Sequence, residues 1–213
     1  MLKAWSFFIE VIQVRSIWEQ KEEKEQIKEK PTKTKSRGIK TTNKHLFKRF
    51  ISEKALEECL DWYAQKGCAY HVISMGDIDS LSFLKWVLRQ TKVKNLIVST
   101  WCMSLQDCNQ FEQWLDMGII KSINFYVGEI FPGSYSREYK KLKEICDKYE
   151  GNVCVFRNHS KIFAGYGDNF NFVIESSANI NTNPRTEQTV ITIDDNLVDF
   201  YTDFFNKIKS FDK

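Results

Sequence analysis

From residue 69 to residue 156 the chain alternates between short apolar runs and longer segments with helical spacing. Ala69–Met75 (AYHVISM), Asn95–Ser99, Ile119–Val127 and Asn152–Phe156 are rich in β-branched and aromatic residues and predict strands. Between them, Ser80–Gln90, Leu105–Met117 and Tyr135–Tyr149 carry apolar residues three and four apart and predict amphipathic helices. Strand runs separated by helices of this length predict βαβ units. The expected fold is therefore α/β, with a mixed, largely parallel sheet flanked by helices on both faces. A capped helix from Ser52 to Gly67 is expected ahead of it.

After Phe156 the rhythm changes. His159–Gly165 and Asn171–Glu175 are short runs joined by Tyr166-Gly167-Asp168-Asn169, which predicts a hairpin. Gln188–Ile193 predicts another strand. Asp194-Asp195-Asn196 offers caps for a last amphipathic helix, Leu197–Phe211.

The N-terminal part differs from this body. Residues 19–49 hold eleven Lys or Arg and five Glu with few large apolar side chains, too little apolar surface to offset the entropy of ordering. Residues 1–50 are read as a helix or strand followed by a basic, flexible extension, and 51–213 as the folded domain. The stretch PTKTKSRGIK at 31–40 is basic without an acidic residue, which suits contact with a phosphate backbone or a solvated tether. Net charge over the whole chain is +3, too small to identify a partner by itself.

Six cysteines include no C-x-x-C pair and no zinc-type spacing with histidine, so buried free thiols are expected. No apolar run reaches the length of a membrane span, and Met1–Trp18 carries Glu10 and Arg15 without a cleavage-type end. The expectation is a reducing, cytoplasmic setting with no stable membrane insertion, no metal and no cofactor.

The chemistry concentrates between residues 157 and 187. In Arg157-Asn158-His159-Ser160-Lys161, residues two apart on a strand share a face, so His159 and Lys161 project together. A neutral imidazole can attack phosphorus, and an ammonium beside it can neutralise a nonbridging oxygen. Eighteen residues after Lys161 stands Asn179, in Ser176-Ser177-Ala178-Asn179, and eight further on Glu187, in Arg185-Thr186-Glu187. Asp77 and Asp79 follow a strand, and a helix cap at Asp79 or Ser80 is the better reading. His71 reads as a half-buried strand residue, Trp101 as a residue lining a cleft or packing, and 128–136 as a loop walling the cleft.

The set H159-x-K161, S176-S177-x-N179 and R185-x-E187 resembles the phospholipase D superfamily, in order, spacing and flanking strands. The resemblance covers about one half-fold of that family and departs from it at Tyr166, where an aspartate usually stands. It implies a metal-independent phosphodiesterase, most readily a nuclease, with His159, Lys161, Asn179 and Glu187 catalytic and Ser176, Ser177 and Arg185 holding substrate. Family enzymes set two such motifs face to face and work through a phosphohistidine. One motif per chain therefore implies a homodimer with the site on its two-fold axis, and a nucleic acid, DNA first, as partner. A catalytically degenerate nucleic-acid-binding module and a phospholipid diesterase are the alternative readings.

Overall fold

The computed structural model describes residues 44–60, 63–180 and 185–211, with side chains from residue 48 onward. The readings made for residues 1–43 fall outside the described residues. In chain order the elements are α1 (Lys44–Cys59), β1 (Ala69–Ser74), α2 (Ser80–Leu88), β2 (Val93–Thr100), α3 (Leu105–Asp116), β3 (Ile120–Gly128), α4 (Phe131–Ser134) and α5 (Ser136–Lys148). Then follow β4 (Asn152–Phe156), β5 (Ile162–Gly167), β6 (Phe172–Ser176), β7 (Glu187–Thr192) and α6 (Asp195–Asn206).

The strands form one seven-stranded mixed sheet in the order β1-β7-β6-β5-β2-β3-β4. The βαβ units stand as expected: β2·β3 and β3·β4 are parallel. The part after Phe156 inserts by antiparallel pairing, at β2·β5, β5·β6, β6·β7 and β1·β7. Five strands thus run one way, and only β5 and β7 run the other. The reversal follows from short connections, because a tight turn such as that from β5 to β6 can only join antiparallel neighbours.

Alternation along each strand builds two layers. Leu96, Val98, Phe125, Val127, Phe163, Phe172 and Ile174 join α1, α2, α3 and α5 in the larger core. Ile97, Tyr126, Ile162, Ala164 and Val173 face the other way, against Val198 and Phe205 of α6. Helices therefore cover both faces, three-layered as the sequence predicts. Among the described residues no helix is long and apolar enough to cross a membrane.

Caps fix where the helices begin. Asp79 accepts from the Ser82 amide at α2, and Ser104 and Asp107 form a reciprocal capping box at α3. Asp79 is thus the cap the sequence suggested. Helix α1 clasps both starts. Arg49 donates to Asp107 at 2.6 Å and lies 3.5 Å from Asp79. Ser52 accepts the Asp79 amide at 2.7 Å. Arg49 falls within the stretch assigned to the extension, yet it is 8% exposed and belongs to this clasp.

Gly151, between α5 and β4, sits where no side chain fits. A Cβ there would stand 2.2 Å from the Ile123 carbonyl oxygen and 3.2 Å from Cys146 Sγ. Gly151→Ala must push β4 away from β3, an overpacking cost of about 1–3 kcal/mol. Thermal denaturation is expected to show a lower melting temperature with activity per folded molecule unchanged.

Candidate active site

Strands β1, β2, β3, β4 and β6 all end at one edge of the sheet, and β5 and β7 start there. In α/β sheets this carboxyl edge is where ligands bind. The chain must cross it once. Between the end of β4 and the start of β5 it passes over β3 and β2, three strand spacings of about 4.8 Å each. Residues 157–161 make that crossing outside any strand. His159 and Lys161 therefore lie ahead of β5 and not within it, a correction to the strand expected from residue 159. The two side chains still meet, with Lys161 Nζ 3.0 Å from His159 Nδ1.

Asn158 fixes the crossing. It is 4% exposed. Its amide nitrogen donates to Ser99 Oγ at 2.9 Å and to the Tyr126 carbonyl at 2.8 Å. Its oxygen accepts from the Ser160 amide at 2.9 Å and from Ser160 Oγ at 2.7 Å. Ser99 and Ser160 hydroxyls are 2.7 Å apart. Since Ser160 Oγ donates to Asn158, Ser99 must donate to Ser160, which closes a ring of three donors. That ring ties the ends of β2 and β3 to the backbone on either side of His159. Sequence reasoning misses Asn158, because a lone asparagine between strands carries no periodic signal. Asn158→Ala strands the Tyr126 carbonyl and opens the ring. It is expected to cost about 3 kcal/mol, read as a melting temperature lower by about 6–12 °C.

Lys161 is 9% exposed. Its Nζ lies 3.0 Å from His159 Nδ1 and donates to the His159 carbonyl at 2.5 Å. Burial holds the Lys161 ammonium below the usual lysine range, against the opposing pull of Cys102 and Glu187. An ammonium can only donate, so Nδ1 accepts and Nε2 carries the imidazole hydrogen in this arrangement. His159 itself is exposed.

The turn from β6 supplies the rest. The Ser176 amide donates to the Lys161 carbonyl at 3.0 Å, which places β6 beside the crossing. Ser177 Oγ donates to Glu187 and accepts the Gln188 amide at 3.0 Å. Ser176 Oγ accepts the Ala178 amide at 3.1 Å and meets Thr189 Oγ1 at 2.8 Å. Both hydroxyls, expected on substrate, are thus engaged in joining the turn to β7. Asn179 is half-buried, and its side-chain oxygen is buried with no hydrogen-bond partner. Such an atom calls for an explanation, and a binding role is one. Arg185 is exposed two residues before Glu187. The edge so gathers His159, Lys161, Ser176, Ser177 and Glu187 through named contacts, with Asn179 in the same turn.

Two further residues resolve. Tyr166, at the usual aspartate position, donates its hydroxyl to Asp199 of α6 at 2.7 Å, so it belongs to the packing of α6. His71 is exposed on β1, not half-buried as expected, and plays no part at this edge.

No family model matches the chain, and no curated protein matches it. Solved structures do. NucT from Helicobacter pylori is similar with a TM-score of 0.48 and 14% identity, over 66% of this chain and 95% of that one. A polyphosphate kinase from Porphyromonas gingivalis has a TM-score of 0.49 and 12% identity, over 64% and 25%. A phosphatidylserine synthase from Haemophilus influenzae has 0.45 and 14%, over 65% and 37%. Likeness at this level leaves the chemistry to be argued from the side chains of this chain.

Proposed function

We propose that the chain is a phosphodiesterase of the phospholipase D type, acting on nucleic acid through a phosphohistidine and without a metal ion. The observation that carries the reading is the pair at the crossing: an exposed imidazole with a nearly buried ammonium 3.0 Å from it. Among the described residues no carboxylate forms an ion pair with that ammonium. A largely desolvated cation favours an anion, and a phosphodiester supplies one at the atom the imidazole attacks.

The steps follow from the donors. An arriving phosphate draws Lys161 from Nδ1 to a nonbridging oxygen, and the freed Nδ1 takes up the hydrogen. Nε2 then holds a lone pair and attacks phosphorus. The P–O ester bond breaks, its electron pair passes to the leaving oxygen, and a second acid protonates that oxygen. The second acid is His159 of another copy of this chain in its imidazolium form, which gives up the Nε2 proton and keeps the Nδ1 hydrogen. That imidazole next takes a proton from water, the water oxygen attacks phosphorus, and the N–P bond breaks back to Nε2. Asn179 steadies the phosphate and Glu187, locked by Ser177, faces the charged centre. The reading therefore includes a homodimer.

Labelled single- and double-stranded DNA incubated in EDTA beside His159→Ala tests it. Cleavage by the wild type alone supports the reading. Binding without cleavage by either protein overturns it in favour of a binding module, and cleavage of lipid diesters alone overturns the nucleic-acid substrate.

A further inference from the structure

One aromatic side chain at the carboxyl edge is not used by this chemistry. Trp101 follows β2 directly and is only half-buried. Its ring centroid lies 5.8 Å from that of His159, at an interplanar angle of 48°. The indole also lies against Gly128, the last residue of β3. A Cβ at 128 would stand 2.6 Å from Trp101 Cδ1 and 3.3 Å from Nε1, so the five-membered edge of the indole occupies the place a side chain would take. The same Cβ would meet the Asn158 carbonyl at 3.2 Å, so the indole and the crossing are seated on one backbone position. The ring is thus held firmly, next to the attacking group, with part of its surface in solvent.

We propose that Trp101 is a stacking platform for an unpaired base next to the scissile phosphate, and that the site accordingly takes single-stranded nucleic acid. The inference rests on the nucleic-acid reading above and deepens it. A half-exposed indole within one ring-width of the nucleophile can cover only a group that lies flat beside the phosphate. In a duplex every base is already stacked on its neighbours and paired, and none can turn to the ring without being extruded. In a single strand a base reaches an aromatic face freely, and stacking of this kind is tolerant of sequence. A phospholipid diester offers no flat group on either side of the phosphorus. Exposed Arg157, two residues before His159, and exposed Arg185 provide cations for the flanking phosphates.

The test is a cycle of two changes, Trp101→Ala and removal of the bases. Wild type and variant are given, in EDTA, a labelled oligodeoxythymidine, an oligouridine, the same oligodeoxythymidine annealed to its complement, and an all-abasic strand. The wild type is expected to cleave the unpaired strands at least 10-fold faster than the duplex. Trp101→Ala is expected to lose about 10- to 100-fold in kcat/KM on the intact strand, chiefly in KM, with a much smaller loss on the abasic one. Trp101→Phe is expected to recover most of the rate and Trp101→Leu little, which separates stacking from the filling of space. Equal cleavage of duplex and single strand overturns the inference while leaving the nuclease reading intact. So does an equal loss on intact and abasic strands, because that marks Trp101 as packing for His159 alone. No cleavage of any strand by the wild type, with hydrolysis of bis(4-nitrophenyl) phosphate, overturns the nucleic-acid reading itself and the inference with it.

Discussion

His159→Ala is expected to lower the single-turnover rate of strand cleavage in EDTA by about 10⁴-fold or more, with the fold intact. The size follows from the double use of the side chain. In a dimer with one motif per chain, each alanine removes the nucleophile of one half and the acid of the other, and neither role has a substitute at the edge. The fold is expected to survive because the ring is exposed and its contacts are few: Lys161 Nζ at Nδ1 and the tilted face of Trp101. A thermal melt within a few degrees of the wild type checks this. Added imidazole is expected to restore a measurable fraction of the rate by entering the vacated volume. Lys161→Met serves as the companion. It keeps the stem and removes the charge, and is expected to lose about 10²–10³-fold, because the charge on the phosphate oxygens then develops unopposed. A His159→Ala protein retaining more than a tenth of wild-type activity would sink the assignment.

How much of this is legible in the sequence differs by element. The βαβ part is legible because each strand is a dense apolar run and each helix a clear stripe. Leu96, Val98, Phe125 and Val127 announce a buried parallel centre by their density alone. The start of β5 is not legible. A polar run that leads straight into a strand carries no mark of where the strand begins, so the pattern at His159 and Lys161 is read as part of it. Only the sheet order, which puts β2 and β3 between β4 and β5, shows that the residues must span the edge. The site carboxylate and the amide, Glu187 and Asn179, are legible as types at a spacing. What holds them is not: Ser177 fastening Glu187, and the Asn158 ring, are made by hydroxyls and amides whose partners lie far away in sequence. The clasp at Arg49 is hidden for a different reason. Composition averages over a window, and one buried arginine in a lysine-rich stretch leaves no trace in the average.

That clasp carries the second large effect. Arg49→Met is expected to destabilise the domain by about 3–5 kcal/mol at neutral pH, with a melting temperature lower by about 10 °C or more. Methionine keeps the length and volume of the stem, so the loss reports the charge. Two carboxylates then remain without their cation: Asp107, 3% exposed, and Asp79, part-buried at the start of α2. Both are also helix caps, so neither can turn outward to water without freeing an amide. Burial already pushes the Asp79 carboxyl above its usual range, with Arg49 opposing the shift and Asp107 adding to it. Removing Arg49 leaves the upward causes opposed only by the Ser82 amide. A folded-state pKa raised above the unfolded value means that the folded state binds the proton more tightly. Stability of the variant is therefore highest below the unfolded pKa and is lost as pH rises through the folded one. The deficit relative to wild type is expected to be full at pH 7 and to shrink toward pH 4, as measured by urea denaturation at each pH. The Arg49→Met, Asp107→Asn double variant should regain part of the loss, because the carboxamide oxygen still accepts the Ser104 amide while the buried charge is gone. A deficit that stays constant or grows on acidification would mean that Arg49 acts through packing alone. In that case the two caps do not depend on its charge.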